Sequence, residues 1–137
     1  MAVVEELLRA EQDGTLSFGN HTLAAKAKVE DFRHDGDLYK VKTYHEITKL
    51  EKNGMFLYES VPGTSVNHFK EDAAGVSFVV AGAEDAQITI GLADDTDYAV
   101  YIDGANAGRM KTNLGGKLNM SVELAGIGEV QVKVIRA

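Results

Sequence analysis

Paired carboxylates are the side chains of this sequence that could most directly do chemistry. Two acids held about 5–9.5 Å apart can hydrolyse a glycosidic bond, one as general acid and the other as nucleophile or base. The candidates for such a pair are Glu46, Glu59, Asp97 and Asp103. Because any acidic β-rich protein offers a similar set, a small glycoside hydrolase-like enzyme is kept only as a second alternative function.

Acidic loops could instead hold a calcium ion, which takes about six to eight oxygen ligands from carboxylates and backbone carbonyls. One acidic loop contains Asp94, Asp95 and Asp97. Its spacing does not match the EF-hand pattern, and solvated turn carboxylates are the ordinary interpretation. We therefore expect no metal and no cofactor, with these three aspartates as weak calcium candidates.

Other catalytic and cofactor motifs are missing from the sequence. The chain has no cysteine, which excludes a disulfide framework, a thiolate zinc site and a cysteine nucleophile. No GxSxG motif surrounds a serine, so Ser60 and Ser65 near His68 do not predict a serine triad. The four histidines have no metal-ligand spacing; they are His21, His34, His45 and His68. The sequence therefore predicts a non-catalytic protein.

Aromatic side chains could stack on sugar rings, which would make the protein a carbohydrate-binding module. Tyr39, Tyr44 and Tyr101 are the candidates for such a platform. Tryptophan, which usually stacks on sugars, is absent from the chain. Packing in a core or in cross-strand pairs is the ordinary role of tyrosine. A carbohydrate-binding β-sandwich module is accordingly the alternative function.

The overall charge limits the classes of partner that the protein can bind. The chain has 137 residues, with 14 Lys and Arg against 21 Asp and Glu, for a net charge of −7. An acidic chain is a poor partner for nucleic acid or an anionic membrane, because such binding depends on neutralising phosphates with Lys and Arg. We therefore expect neither nucleic acid nor membrane as a partner.

Lysines nevertheless lie along the predicted early strands, whereas carboxylates are concentrated in the turns. The lysine pairs are Lys26 and Lys28, Lys40 and Lys42, and Lys49 and Lys52. A solvated face is the ordinary interpretation of such a stripe. The sharper hypothesis is a self-complementary surface, basic on one side and acidic on another, which suits a homo-oligomer. Lys40 and Lys42 are the predicted interface residues of this stripe.

The N-terminal segment is predicted to form a short helix over residues 1–12. Val3, Val4, Leu7 and Leu8 fall on one stripe at helical spacing. A helix this short is marginal alone, so its apolar stripe must dock on the chain's own sheet or on a second subunit. These four residues join the tentative interface.

The rest of the chain alternates polar and apolar residues in about nine or ten short predicted strands. Asn53-Gly54 and Asp103-Gly104 are typical of tight hairpin turns. Helical patterns never alternate with the strands, which argues against parallel βαβ units. We expect one all-β domain, residues 1–137, folded as an antiparallel β-sandwich of jelly-roll or immunoglobulin-like type.

Two segments resemble a known family. Residues 44–64 read YHEITKLEKNGMFLYESVPGT, and residues 110–118 read MKTNLGGKL. They are similar to small β-rich proteins of anaerobic Gram-positive bacteria that carry the name endosialidase catalytic β chain, and the resemblance covers most of the chain. It implies a shared fold and a shared assembly role.

The catalysis in that name is not expected here. Sialidases use a propeller of several hundred residues, three arginines that grip the sialate carboxylate, and a tyrosine nucleophile. This chain is less than half that size, and it has no tryptophan and no Asp-box pattern. Its arginines are Arg9, Arg33, Arg109 and Arg136.

Targeting signals do not stand out in the sequence. The N-terminal residues lack the basic start and uninterrupted apolar run of a secretory signal, and no window approaches the roughly 18 apolar residues of a membrane span. We expect a cytoplasmic protein, with export by a route without an N-terminal signal left open. The expected function is a non-catalytic structural or protein-interaction module that self-assembles into a homo-oligomer, with another protein or a glycan as alternative partners.

Overall fold

The computed structural model describes residues 3–137. These residues form thirteen β-strands and no helix. Among them there is no helix long and apolar enough to cross a membrane. The strands are β1 (Leu8–Ala10), β2 (Leu16–Phe18), β3 (Ala27–His34), β4 (Asp37–Tyr44), β5 (Ile47–Lys52), β6 (Met55–Val61), β7 (Ser65–Asp72), β8 (Gly75–Ala81), β9 (Ala86–Gly91), β10 (Asp97–Ile102), β11 (Ala105–Lys111), β12 (Lys117–Val122) and β13 (Glu129–Arg136).

Two antiparallel sheets pack face to face as a sandwich. The seven-stranded sheet has the order β1-β2-β7-β8-β13-β10-β11, and the six-stranded sheet has the order β12-β9-β6-β5-β4-β3. Every paired strand in both sheets runs antiparallel to its neighbour. The prediction of an all-β antiparallel sandwich is confirmed.

The hairpin turns form where the sequence predicts them. Asn53 and Gly54 have φ values of 53° and 76°, and Asp103 and Gly104 have φ values of 49° and 82°. A two-residue type I′ turn needs a positive φ at both positions, which asparagine, aspartate and glycine tolerate best. These pairs therefore fix the register of β5 with β6 and of β10 with β11.

The core lies between the two sheets and is lined by alternate residues of each strand. Strand β12 shows the pattern most simply, because its exposed and buried residues alternate along its whole length. Four rings form the aromatic centre of the core, with neighbouring ring centroids 5.2–6.3 Å apart; they belong to Phe18, Tyr58, Phe69 and Phe78. Burial of this apolar surface is the main force that holds the sheets together.

The prediction of an N-terminal helix is wrong. Residues 8–10 form β1, and Leu7 has a φ of 70°, which a right-handed helix does not allow. The Val4 N–H donates to the Gly19 carbonyl, and the Gly19 N–H donates to the Leu7 carbonyl. Pairing with the segment around β2 therefore supplies the backbone hydrogen bonds that a marginal helix would have had to supply itself. Met1 and Ala2, which the prediction included in the helix, lie outside the described residues.

The sheet edges are short, interrupted or charged. Strand β1 has three residues, the pairing of β3 with β4 is irregular between Val29 and Phe32, and that of β10 with β11 shifts between Val100 and Tyr101. The fourth edge strand, β12, carries Lys117. Such features discourage the edge of one sheet from pairing with another chain.

The connections alternate between the two ends of the sandwich, which we call the open end and the sealed end. The open end holds the turns β3–β4, β5–β6 and β7–β8 and the loops β9–β10 and β11–β12. The sealed end holds the loops β2–β3, β6–β7, β8–β9 and β12–β13 and the turns β4–β5 and β10–β11.

Candidate interaction face

A row of lysines crosses the outer surface of the six-stranded sheet. Lys28 lies opposite Lys42, and Lys42 lies opposite Lys49. Lys49 lies opposite Glu59, which ends the charged part of the row. The side chains point outward because their strand neighbours, such as Val41 and Leu50, are fully buried. We call Lys28, Lys42 and Lys49 the lysine row.

The lysine row carries like charges directly opposite one another on adjacent strands, an arrangement that destabilises a sheet. Lys28 has an ion pair with Glu30 at 3.3 Å, and Lys49 has one with Glu51 at 3.6 Å. Lys42, in the centre, has no acidic partner among the described residues. The row therefore has an uncompensated positive charge at its centre.

The whole outer face of this sheet carries an excess of positive charge on a chain of net charge −7. Its basic side chains are Lys28, Arg33, Lys40, Lys42, Lys49 and Lys117, and its acids are Glu30, Glu51, Glu59 and the bulge residue Asp31. The remaining acids lie mostly in loops, turns and strand ends. The predicted segregation of charge is therefore present in three dimensions.

The predicted lysine stripe is only partly one surface. Lys40 and Lys42 share the outer face, and Lys40 approaches Glu30 at 3.6 Å. Lys52 instead points toward the opposite sheet at the open end, where its ammonium donates to Glu71 at 3.0 Å. This hydrogen bond raises the pKa of Lys52. Lys52 lies three residues after Lys49, so the alternation of the strand places the two side chains on opposite faces.

Uncharged polar groups occupy the other half of the same face. Gln87 donates its amide N–H to the Ser121 hydroxyl at 2.6 Å, and the Thr89 hydroxyl donates to Asn119. The Phe56 ring separates this half from the lysine row, with the Lys117 ammonium 4.5 Å from its centroid. The face therefore combines cations, hydrogen-bonding groups and aromatic rings.

The sealed end is closed by a network of buried hydroxyl groups. The Thr48 hydroxyl donates to the Thr64 carbonyl at 2.7 Å, and it accepts from the Thr64 N–H at 3.1 Å. The Thr64 hydroxyl in turn bonds Tyr58 at 2.8 Å and Ser60 at 2.7 Å. Burial raises the pKa of Tyr58. No buried side-chain nitrogen or oxygen of the described residues lacks a hydrogen-bond partner.

A histidine and a serine meet beside this network. The His21 Nδ1 lies 2.7 Å from the Ser65 hydroxyl oxygen, which also accepts the His21 backbone N–H at 3.3 Å. Burial lowers the pKa of His21, so the ring is held neutral. Ser65 is fully buried and cannot be reached by a substrate, so the pair fastens the β2–β3 loop to β7.

Sequence reasoning missed this pair because 44 residues separate its members. No local spacing connects the two positions. His68, the histidine nearest Ser65 in sequence, lies elsewhere, with its Nδ1 3.3 Å from Asp13 and 3.2 Å from the Thr15 hydroxyl.

The four candidate hydrolase acids are dispersed over the molecule. Glu46 lies in the β4–β5 turn, where it accepts the Tyr44 hydroxyl at 2.6 Å, and Glu59 is in the row on the outer face. Asp97 and Asp103 flank opposite ends of β10 in the other sheet, and Asp103 accepts the Gln131 N–H at 2.8 Å. The arrangement does not bring the four acids into one pocket.

The three calcium candidates are not joined into a site either. Asp95 has an ion pair with Lys111 at 3.3 Å. Within residues 3–137, no group of three or more His, Asp or Glu side chains is arranged to hold a metal ion.

The tyrosines proposed as a sugar platform face three different environments. Tyr39 is buried in the core, Tyr44 lies on the outer face of the six-stranded sheet, and Tyr101 lies on the outer face of the seven-stranded sheet. They do not form one platform.

The apolar N-terminal residues pack mainly on the chain's own sandwich. Val4 is fully buried, Leu8 is in the core, and Leu7 packs against it. Only Val3 and Leu7 keep partial exposure.

Neither family models, nor curated proteins, nor solved structures match this chain.

Proposed function

We propose that the protein is a non-catalytic interaction module that self-assembles through the lysine row. The observation that carries this proposal is the direct opposition of three lysines, the central one without an acidic partner. Such an arrangement costs stability in the isolated chain, and a negatively charged partner would offset that cost.

Charge complementarity favours a second copy of the chain as the partner. Asp94 and Asp97 lie exposed in and beside the β9–β10 loop at the open end, and neither forms an ion pair among the described residues. A contact between the lysine row of one copy and this loop of the next joins two different surfaces. Contacts of this kind build rings or filaments rather than closed two-fold dimers.

The proposal draws its assembly role also from the resemblance to the small proteins of anaerobic Gram-positive bacteria. We also propose the finer fold assignment, a jelly-roll or immunoglobulin-like sandwich. The endosialidase reaction is not part of the proposal, because the chain has less than half the length of a sialidase propeller and no Asp-box pattern.

Charge exchange tests the contact. We expect wild-type protein to form oligomers at low ionic strength by light scattering coupled to size exclusion, and to dissociate as salt screens the contact. Lys28→Glu/Lys42→Glu and Asp94→Lys/Asp97→Lys should each be monomeric alone. Mixed in equal amounts, the two variants should co-assemble, because the exchanged charges complement one another.

The matched control is Lys70→Glu/Lys133→Glu, which makes the same change of net charge on the outer face of the seven-stranded sheet. It should assemble like wild type. A wild-type chain that stays monomeric at every salt concentration would overturn the self-assembly. Oligomers that persist in both exchanged variants would place the interface elsewhere.

A carbohydrate-binding module is the second candidate function. The feature in its favour is the polar half of the same face, where Gln87, Thr89, Asn119 and Ser121 lie beside the Phe56 ring. Glycan-array binding by the wild-type chain would favour this candidate, and binding to no glycan would count against it.

A further inference from the structure

A groove opens between the two sheets at the open end, and its Phe56 wall adjoins the lysine row, with the Lys49 ammonium 5.9 Å from the ring centroid. It encloses about 490 Å³, which lies within the range of about 300–1,000 Å³ typical of small-molecule sites. Its apolar lining includes Phe56, Leu57 and Leu92. Met55, whose side chain is 72% exposed, stands at its edge. The groove therefore offers an apolar surface that water wets poorly.

Tyr98 brings an unused hydrogen-bond donor to this groove. The residue is 2% exposed, and its hydroxyl oxygen accepts the Ala93 N–H at 3.2 Å. The Tyr98 O–H itself has no acceptor among the described residues. A buried donor of this kind gains most when a ligand supplies the acceptor.

Two cations at the groove also lack acidic partners. The Lys117 ammonium lies over the Phe56 ring at 4.5 Å, and the Arg136 guanidinium lies over the Tyr98 ring at 6.0 Å. Neither forms an ion pair within residues 3–137. Both side chains are therefore held near the groove by aromatic contacts that leave their hydrogen-bond donors free.

The other charged groups of the groove are already engaged or stand at its mouth. Lys52 and Glu71 neutralise each other across the sheets at 3.0 Å. Asp72 accepts the Ala74 N–H at 2.8 Å, but its exposed carboxylate keeps a negative charge near the opening. The unpaired cations thus outnumber the unpaired acid.

We propose that this groove binds a small organic carboxylate, with its apolar body against Phe56, Leu57 and Leu92. The carboxylate accepts hydrogen bonds from Arg136, Lys117 and the Tyr98 O–H. Charge-assisted hydrogen bonds to a carboxylate are the strong ones, and they set the specificity for an anion over a neutral amide. This proposal does not rest on the self-assembly proposed above, although Leu92 of the groove belongs to the β9–β10 loop used in that contact.

Phenylacetate and its neutral isostere phenylacetamide are the probes. The experiment titrates each at low ionic strength into full-length ¹⁵N-labelled Lys28→Glu/Lys42→Glu protein, and it follows amide chemical shifts. We expect saturable shifts at Ala93, Arg136 and the β11–β12 loop with phenylacetate, and much smaller ones with phenylacetamide. Assembly and binding are thereby separated, since this variant lacks the lysine-row contact but keeps every residue of the groove.

Four variants of groove residues and one control sharpen the test. Arg136→Gln and Lys117→Gln should each weaken phenylacetate binding about fivefold to tenfold, and Tyr98→Phe about threefold to tenfold. Asp72→Asn keeps the acceptor for the Ala74 N–H but removes the charge, so it should tighten binding about twofold. Lys133→Gln, on the outer face of the other sheet, should leave binding unchanged.

Three results would overturn the proposal. They are shifts that do not saturate, equal binding of phenylacetamide, and equal loss of affinity in Lys133→Gln and Arg136→Gln. Thermal unfolding of every variant checks that the groove itself is intact, and the strengthening by Asp72→Asn cannot arise from misfolding.

Discussion

The two ends of the sandwich use their polar groups in opposite ways. At the sealed end, the hydroxyls of Thr48, Ser60 and Thr64 bond one another and the backbone, and no solvent is needed to satisfy them. At the open end, Lys117 and Arg136 rest on aromatic rings without acidic partners. A polar group that is fully satisfied within the fold contributes rigidity, whereas one left unpaired is available for binding. Stability should therefore be concentrated at the sealed end.

Gly63→Ala tests the close backbone packing of the sealed end. An added Cβ at Gly63 would lie 2.0 Å from the Tyr44 carbonyl oxygen, which belongs to the backbone and cannot rotate away. The Gly63 N–H also donates to the His45 carbonyl at 3.0 Å, so the two segments cannot separate without losing that bond. We expect a loss of about 4 kcal/mol or more in the free energy of unfolding, measured by urea denaturation.

The matched control is Gly115→Ala at the open end, where the nearest neighbour of an added Cβ is the Asn113 side chain at 3.4 Å. It should change the stability by less than about 0.5 kcal/mol. Equal losses in the two variants would erase the distinction between the ends. If Gly63→Ala does not fold at all, its soluble yield beside that of Gly115→Ala gives the same comparison.

Thr64→Val tests the hydroxyl network without changing the volume of the side chain. The substitution removes the oxygen shared by Tyr58 and Ser60, both fully buried. Leaving buried polar groups without a partner costs about 1–3 kcal/mol each, so we expect a loss of about 2–3 kcal/mol by thermal or urea unfolding.

Thr89→Val removes a hydroxyl from the outer face, where water can replace it at Asn119. Its expected cost is below about 0.5 kcal/mol. If Thr64→Val proves as mild as Thr89→Val, the buried network does not stabilise the sealed end.

Acid should weaken the sealed end through His21. Burial lowers the pKa of His21 in the folded chain, so the unfolded chain binds a proton more readily. The stability contributed by the neutral ring is present above the unfolded pKa of about 6.5. It is lost as the pH falls below that value toward the folded pKa.

The expected effect is smaller than that of either substitution above, because only one partly solvated group titrates. Urea denaturation at pH 7.5 and 5.5 measures it, with His21→Gln as the comparison. The loss of stability between the two pH values should be smaller in the variant. An identical loss in both chains would remove His21 from the acid response.

Features set by neighbouring residues were predictable from the sequence, and features set by distant strands were not. The Asn53-Gly54 turn follows from the backbone preferences of two residues, and the alternation of β12 follows from its own side chains. Predicting the lysine row requires the register of three strands. The charge pattern indicated its pairs, but only the register shows that Lys42 stands between Lys28 and Lys49.

The failed helix has a physical reason of the same kind. The spacing of Val4, Leu7 and Leu8 fits a helix, but two of these side chains fit the core equally well from an irregular segment that leads into β1. The backbone hydrogen bonds with Gly19 favour the irregular segment over the helix. The groove could not be predicted from the sequence either, because Phe56, Tyr98 and Arg136 come together only when the two sheets pack.

The interrupted sheet edges determine how copies of the protein can grow together. With β1 only three residues long and the ladders of β3 and β11 broken, three of the four edges offer a second chain few continuous backbone groups to pair with, and the regular β12 edge is the exception. Growth by strand addition requires a template that seeds further copies. Side-chain contacts between folded molecules need no seed and no unfolding. Oligomers formed through the proposed lysine-row contact should therefore assemble without a lag and exchange subunits freely.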